Sequence, residues 1–242
     1  MNLFSTEQWL LLLGSGTFLL LSIWGFSQKR MSVAVAALTV SALFFYSFVA
    51  ILDPFLHIWD ERFHALVAKN LAHHPLLPTL YDQPIVSIAY DRWDRAVVWL
   101  HKQPLFLWQI AASYKLWGFN EFGLRFPSAL MSALLIPISY RVGKLLMNDA
   151  TGYIAAILMM SSFYTVQLVS GVQGMEHNDV AFLFYVSASI WAWVEYEHAP
   201  NANKWCWAVL IGLFVGAAVL CKWLVGLLVY AAFSSQLLAD FK

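Results

Sequence analysis

Four short stretches of this sequence hold side chains that could do chemistry. They are Trp59-Asp60-Glu61, His101-Lys102, Glu176-His177-Asn178-Asp179, and Lys222 within Leu220–Gly226. Asp60 and Glu61 follow a long apolar run, where two adjacent carboxylates add nothing to packing. One reading is a helix start, with Asp60 as cap and Glu61 favouring the positive end of the helix dipole. The other is a carboxylate that takes a proton from a hydroxyl at a membrane boundary. Lys102 and Lys222 admit a similar pair of readings. They either snorkel to the interface or neutralise a phosphate there. Lys222 argues for the second, because apolar spans flank it closely on both sides. Asp179 can cap a helix. His73 and His74 point to different faces of a helix and form no chelate. A divalent ion on Asp60 and His64, one helical turn apart, is the less favoured reading, and no metal or other cofactor is assigned.

The elements that position these residues are read from hydropathy. The 242 residues are 61% hydrophobic and 12% charged, against about a quarter charged in a soluble domain. Mean hydropathy is +0.66. The expected fold class is all-α, a polytopic transmembrane bundle of about seven spans. The spans are Trp9–Phe26, Met31–Leu52, Pro127–Met147, Thr151–Ser170, Asp179–Glu195, Trp205–Leu220 and Leu224–Leu238. The first is read as a retained helix, since no basic residue precedes it and no cleavage signature follows. Residues 1–242 form one module, with 53–127 as a large loop. In that loop, Phe63, Leu66, Val67 and Leu71 recur at helical spacing, which predicts an amphipathic helix over Asp60–His74 lying in the interface. Pro104–Gly118 is short and carries Lys115, so an interfacial or re-entrant helix is expected. Tyr81, Tyr90 and Trp93 could contact sugar or headgroups.

Formal net charge is zero, so no global field points to nucleic acid. Cys206 and Cys221 would lie roughly 22 Å apart on one helix, too far to bridge. The tight Lys29-Arg30 hinge and the Arg141/Lys144 pair outweigh the basic residues of the long loop in setting orientation. They are placed in the cytoplasm, and the loop with all four stretches outside. A carboxylate beside lysines at that boundary suits a lipid-linked phosphosugar. The lysines would steady the departing phosphate, and the carboxylate would accept the proton.

Four ordered motifs carry a resemblance. His101-Lys102-Gln103-Pro104-Leu105-Phe106-Leu107-Trp108 resembles an "HKPPL-aromatic" stretch, with Gln103 where proline is common. Gly118–Ala129 resembles "GxNEFxxRLPSAL", Trp59-Asp60-Glu61 a first-loop acidic motif, and Leu220–Gly226 a "KW-V-G" turn. Together they are similar to the protein O-mannosyltransferase and aminoarabinose (lipid A) transferase group of GT-C membrane glycosyltransferases, in its N-terminal half. The resemblance implies inverting transfer of a monosaccharide from a polyprenyl-phosphate carrier to a hydroxyl of protein, lipid or glycan. It implies an extracytoplasmic site in a bacterial inner membrane, and either a further C-terminal half or a second subunit. By motif, Asp60 is the base and Glu61 its neighbour. Lys102 and Lys222 bind the donor phosphate, and His101, Glu176, His177 and Asp179 support them. The alternative is a non-catalytic subunit or carrier that binds polyprenyl phosphate.

Overall fold

The computed structural model describes residues 3–82, 84–85, 88–172, 176–232 and 234, the side chain of Glu176 excepted. Among these residues it has no strand, only one isolated bridge between Thr79 and Val98. Helices α1 (Thr6–Ser27) and α2 (Met31–Ala50) form an antiparallel hairpin through Lys29, whose φ is 56°. Ser5 and Gln8 close a capping box at the start of α1. Hydrophobic burial gives little reason for two helices to associate in lipid, so small polar contacts hold this pair. The Ser41 hydroxyl donates to the Ser15 carbonyl at 2.8 Å, and Ser22 donates to the Ala34 carbonyl at 2.7 Å.

Two shorter helices follow: α3 (Asp60–His73), as the apolar spacing predicts, and α4 (Leu105–Trp117). At 13 residues α4 is about 20 Å long, too short to span. Helix α5 (Glu121–Leu146) is capped by Asn120, and α6 (Asp149–Met160) meets α7 (Phe163–Val169) at a 44° bend. The break frees carbonyls, and the buried Tyr46 hydroxyl donates to that of Met160 at 3.1 Å. Helix α8 (Glu176–His198) packs along α5 and then beside α9 (Lys204–Lys222).

Among the described residues, four runs are long and apolar enough to cross a membrane: α1, α2, α5 and Asn201–Ala232. The bent α6/α7 pair, counted as one span, makes a fifth. The difference from about seven has two causes. Helix α8 carries Asp179, Glu195 and Glu197 and has modest hydropathy, yet its 23 residues reach from the Lys222 end of the bundle to Arg141. The run Asn201–Ala232 is a hairpin and not one rod. Trp223 turns the chain at φ 58°, and Gly226 then lies flat on α9, where a Cβ would come within 2.4 Å of Val219 N. Val229 accordingly joins Ile211 and Val215 in a small core. The remainder of the expected last span, to Leu238, lies largely outside the described residues.

Candidate active site at one end of the bundle

Helix α3 turns two faces in different directions. Asp60, Glu61, His64, Val67, Ala68, Leu71 and Ala72 are buried, while Arg62, Leu66 and Lys69 are exposed. Burying three ionisable groups on one short helix requires partners for them.

Glu61 has the fullest set. Arg125 donates from Nε to Glu61 Oε1 at 2.7 Å and from Nη2 to Oε2 at 3.1 Å. The remaining guanidinium protons go to carbonyls at the end of α2, to Ala50 at 3.0 Å, Asp53 at 2.6 Å and Phe55 at 2.9 Å. The His57 backbone N–H donates to Glu61 Oε2 at 2.6 Å. Both side chains are essentially inaccessible, at 1% and 0%. Gly171 lies over this pair with φ 77°, and a Cβ there would fall 2.7 Å from Arg125 Nη2. Glu61 is therefore committed to fixing the start of α3. Sequence reasoning gave Arg125 no role. The signal was present, since it is a cation in the first turns of a long apolar helix.

Asp60 is buried but less committed. Lys102 Nζ lies 3.2 Å from Asp60 Oδ2, close enough for an ion pair. Neither this contact nor any other gives Oδ2 a hydrogen bond of good geometry among the described residues. The helix-cap reading does not hold for Asp60. It is the first residue of α3, and the capping position is Trp59, which makes no side-chain cap bond. One turn on, His64 Nδ1 and His177 Nδ1 are 3.1 Å apart, joining α3 to α8. One ring donates and the other accepts. Burial, then His177, Lys102 and His101, push His64 well below the ordinary imidazole range, so it is neutral at pH 7. His101 stacks on Trp93 at 4.7 Å, and Trp59 and Phe63 pack against the same indole. Tyr81 instead donates its hydroxyl to the Asp94 carbonyl, and Tyr90 stays exposed.

The other two stretches reach the same end. Lys222 Nζ pairs with Asp179 Oδ1 and sits 5.6 Å from the Phe182 ring. Helix α9 packs against α4, whose Phe106 ring lies 4.8 Å from that of His64. The fold thus gathers Asp60, Glu61, His101, Lys102, His177, Asp179 and Lys222 at one end. Glu176 begins α8 there, with its side chain outside the described residues. No group of three His, Cys, Asp or Glu side chains that could hold a metal ion occurs among the described residues. Chemically, the arrangement offers a buried carboxylate with a free lone pair, two lysines, and an aromatic wall.

Comparison with known proteins bears on family and fold. The chain is 31% identical over 138 residues to an undecaprenyl phosphate-alpha-4-amino-4-deoxy-L-arabinose arabinosyl transferase of Pseudomonas fluorescens, covering 54% of this chain and 25% of the relative. It is 30% identical over 127 residues to the enzyme of that name in Pseudomonas aeruginosa, covering 50% and 23%. The chain therefore spans about a quarter of the length of these curated relatives. The crystal structure of ArnT from Cupriavidus metallidurans in the apo state superposes with a TM-score of 0.62 at 21% identity. That match covers 83% of this chain and 36% of the solved one, and it carries the fold alone. The family model for dolichyl-phosphate-mannose-protein mannosyltransferase matches residues 101–241, from the Lys102 motif through the turn at Lys222, and the chain belongs to that family.

Proposed function

We propose that this chain carries the catalytic end of a membrane glycosyltransferase. It would move a monosaccharide from a polyprenyl-phosphate carrier to a hydroxyl of protein, lipid or glycan, with inversion, on the extracytoplasmic face. The observation that carries the reading is Asp60, a buried carboxylate whose Oδ2 has no hydrogen bond of good geometry among the described residues and faces Lys102 at 3.2 Å. A group held so deeply with spare hydrogen-bonding capacity is poised for a partner that arrives with substrate.

In the reaction, the acceptor oxygen attacks the anomeric carbon while the bond from that carbon to the phosphate oxygen breaks. Asp60 takes the hydroxyl proton. The phosphate leaves without needing an acid, its charge met by Lys102 and Lys222, whose contacts strengthen as charge develops. Asp179 holds Lys222 in place, and Glu61, clamped by Arg125, sets the direction of the first turn of α3. His177 ties α8 to His64, Glu176 begins that helix, and His101 with Trp93 forms a flat wall suited to a sugar face. The remainder of the enzyme, a C-terminal half or a second subunit, would supply the rest of the acceptor site.

The test is sugar transfer from a labelled polyprenyl-phosphate donor by the full-length protein in membranes. Asp60→Asn keeps shape and removes the base, so transfer should fall about 10²–10⁴-fold with donor binding intact. Near-normal transfer by this variant would overturn the reading. Donor binding by the wild type with no transfer to any hydroxyl would favour the carrier alternative.

A further inference from the structure

The face of α3 turned away from Asp60 lines a second cleft. An α-helix advances about 100° per residue, which puts Ala65, Arg62, Leu66 and Lys69 about 140° to 240° round the axis from Asp60. These four residues form one wall of a cleft of about 410 Å³, with Leu56, Tyr114, Phe119, Asn120 and Glu121 on the others. The cleft is thus separated from the proposed catalytic site by the body of the helix.

Its chemistry is that of a membrane boundary. Neither Arg62 nor Lys69 forms an ion pair among the described residues. The carboxylates nearest in sequence, Asp60 and Glu61, are turned inward to Lys102 and Arg125. Lys69 Nζ rests 5.7 Å from the Phe119 ring. Phe119 and Leu66 are 52% and 43% exposed, which is unfavourable in water and natural against acyl chains. Glu121, the first residue of α5, is the one acidic group in the lining, so the cleft keeps a net positive charge.

We propose that this cleft binds an anionic glycerophospholipid, with its phosphate between Arg62 and Lys69 and its chains along Leu56, Leu66 and Phe119. Two cations beside an apolar slot match a phosphate carried on acyl chains. A soluble anion would gain nothing from the apolar walls, and a zwitterionic lipid would gain little from the cations. Bound there, the lipid would seat α3 at a fixed depth in the interface, and Asp60 with it.

The test uses the full chain purified in detergent, with retention of lipid read by native mass spectrometry. The probes are phosphatidylglycerol and phosphatidylcholine of identical acyl chains, with glycerol 3-phosphate as the headgroup alone. Wild type should retain phosphatidylglycerol over phosphatidylcholine and should not retain glycerol 3-phosphate. The double change Arg62→Gln/Lys69→Gln should lower that preference by about fivefold per cation, with phosphatidylcholine retention unchanged as the control for folding. Glu121→Gln should raise the preference by removing the opposing charge, a sign that general loss of structure would not give. An unchanged preference in the double variant, a fall with Glu121→Gln, or glycerol 3-phosphate retained as well as the lipid would each overturn the proposal.

Discussion

At the residue scale, adjacent carboxylates have opposite fates. Glu61 accepts two bonds from Arg125 and one from His57 and has little capacity left. Asp60 keeps an oxygen without a well-formed bond. The sequence presents them as a pair, and nothing local distinguishes them; the distinction comes from Arg125, 64 positions away from Glu61. A buried, multiply bonded ion pair is weak evidence of stabilisation, but breaking it from one side is costly, typically about 3–5 kcal/mol. Arg125→Met should therefore sharply lower the melting temperature in detergent, because it strands Glu61 and the carbonyls of Ala50, Asp53 and Phe55. Arg125→Met with Glu61→Leu should recover part of that loss, since both charges then leave together. Equal melting temperatures for wild type and Arg125→Met would show that the pair does not hold the end of α2 to α3.

At the scale of elements, much was legible beforehand because hydropathy and helix period are local properties. The α1/α2 hairpin, the amphipathic α3, the short α4 and the reversal at Lys222 all follow from apolar run length, periodicity and charge placement. The contacts between elements were not legible. His64 and His177 are 113 positions apart, and no spacing rule brings them to 3.1 Å. Helix α8 is less apolar than the other long helices, yet its packing carries it along the bundle from Asp179, paired with Lys222, to Glu195, paired with Arg141. The reversal after α9 depends on a backbone fit that is open to test. Gly226 lies so close to α9 that Gly226→Leu has no room, while Gly216, with nothing within 4 Å of a Cβ, can accept the same side chain. Gly226→Leu should separate the two arms of the hairpin, increasing protease cleavage around Trp223 and lowering yield in membranes, whereas Gly216→Leu should behave as wild type. Matched behaviour of the two variants would refute the close packing.

At the scale of the whole molecule, the charged side chains divide between two ends. One holds Asp60, Glu61, Lys102, Arg125, Asp179 and Lys222; the other holds the Arg141–Glu195 and Lys144–Asp149 pairs, with Lys29 and Arg30 at the turn of the first hairpin. One physical rule yields a prediction of sidedness. Basic residues in short loops and near helix ends resist translocation, and those of long loops count for less. With Lys29, Arg30, Arg141, Lys144 and Lys204 gathered at the second end, the rule predicts that this end is cytoplasmic and that Asp60 lies on the opposite side, as the proposed transfer requires. The two cysteines make this measurable without altering the chain, because α9 carries one near each end. Cys206, two residues beyond Lys204, is exposed, and Cys221, beside Lys222, is fully buried. A membrane-impermeant maleimide added to intact cells should leave both unlabelled, and should reach Cys206 only after permeabilisation. Tyr90→Cys, at a site 78% exposed in the long loop, should label from outside in the same cells. Labelling of Cys206 in intact cells would invert the topology and bring Asp60 into the cytoplasm, where an extracytoplasmic transferase could not use it.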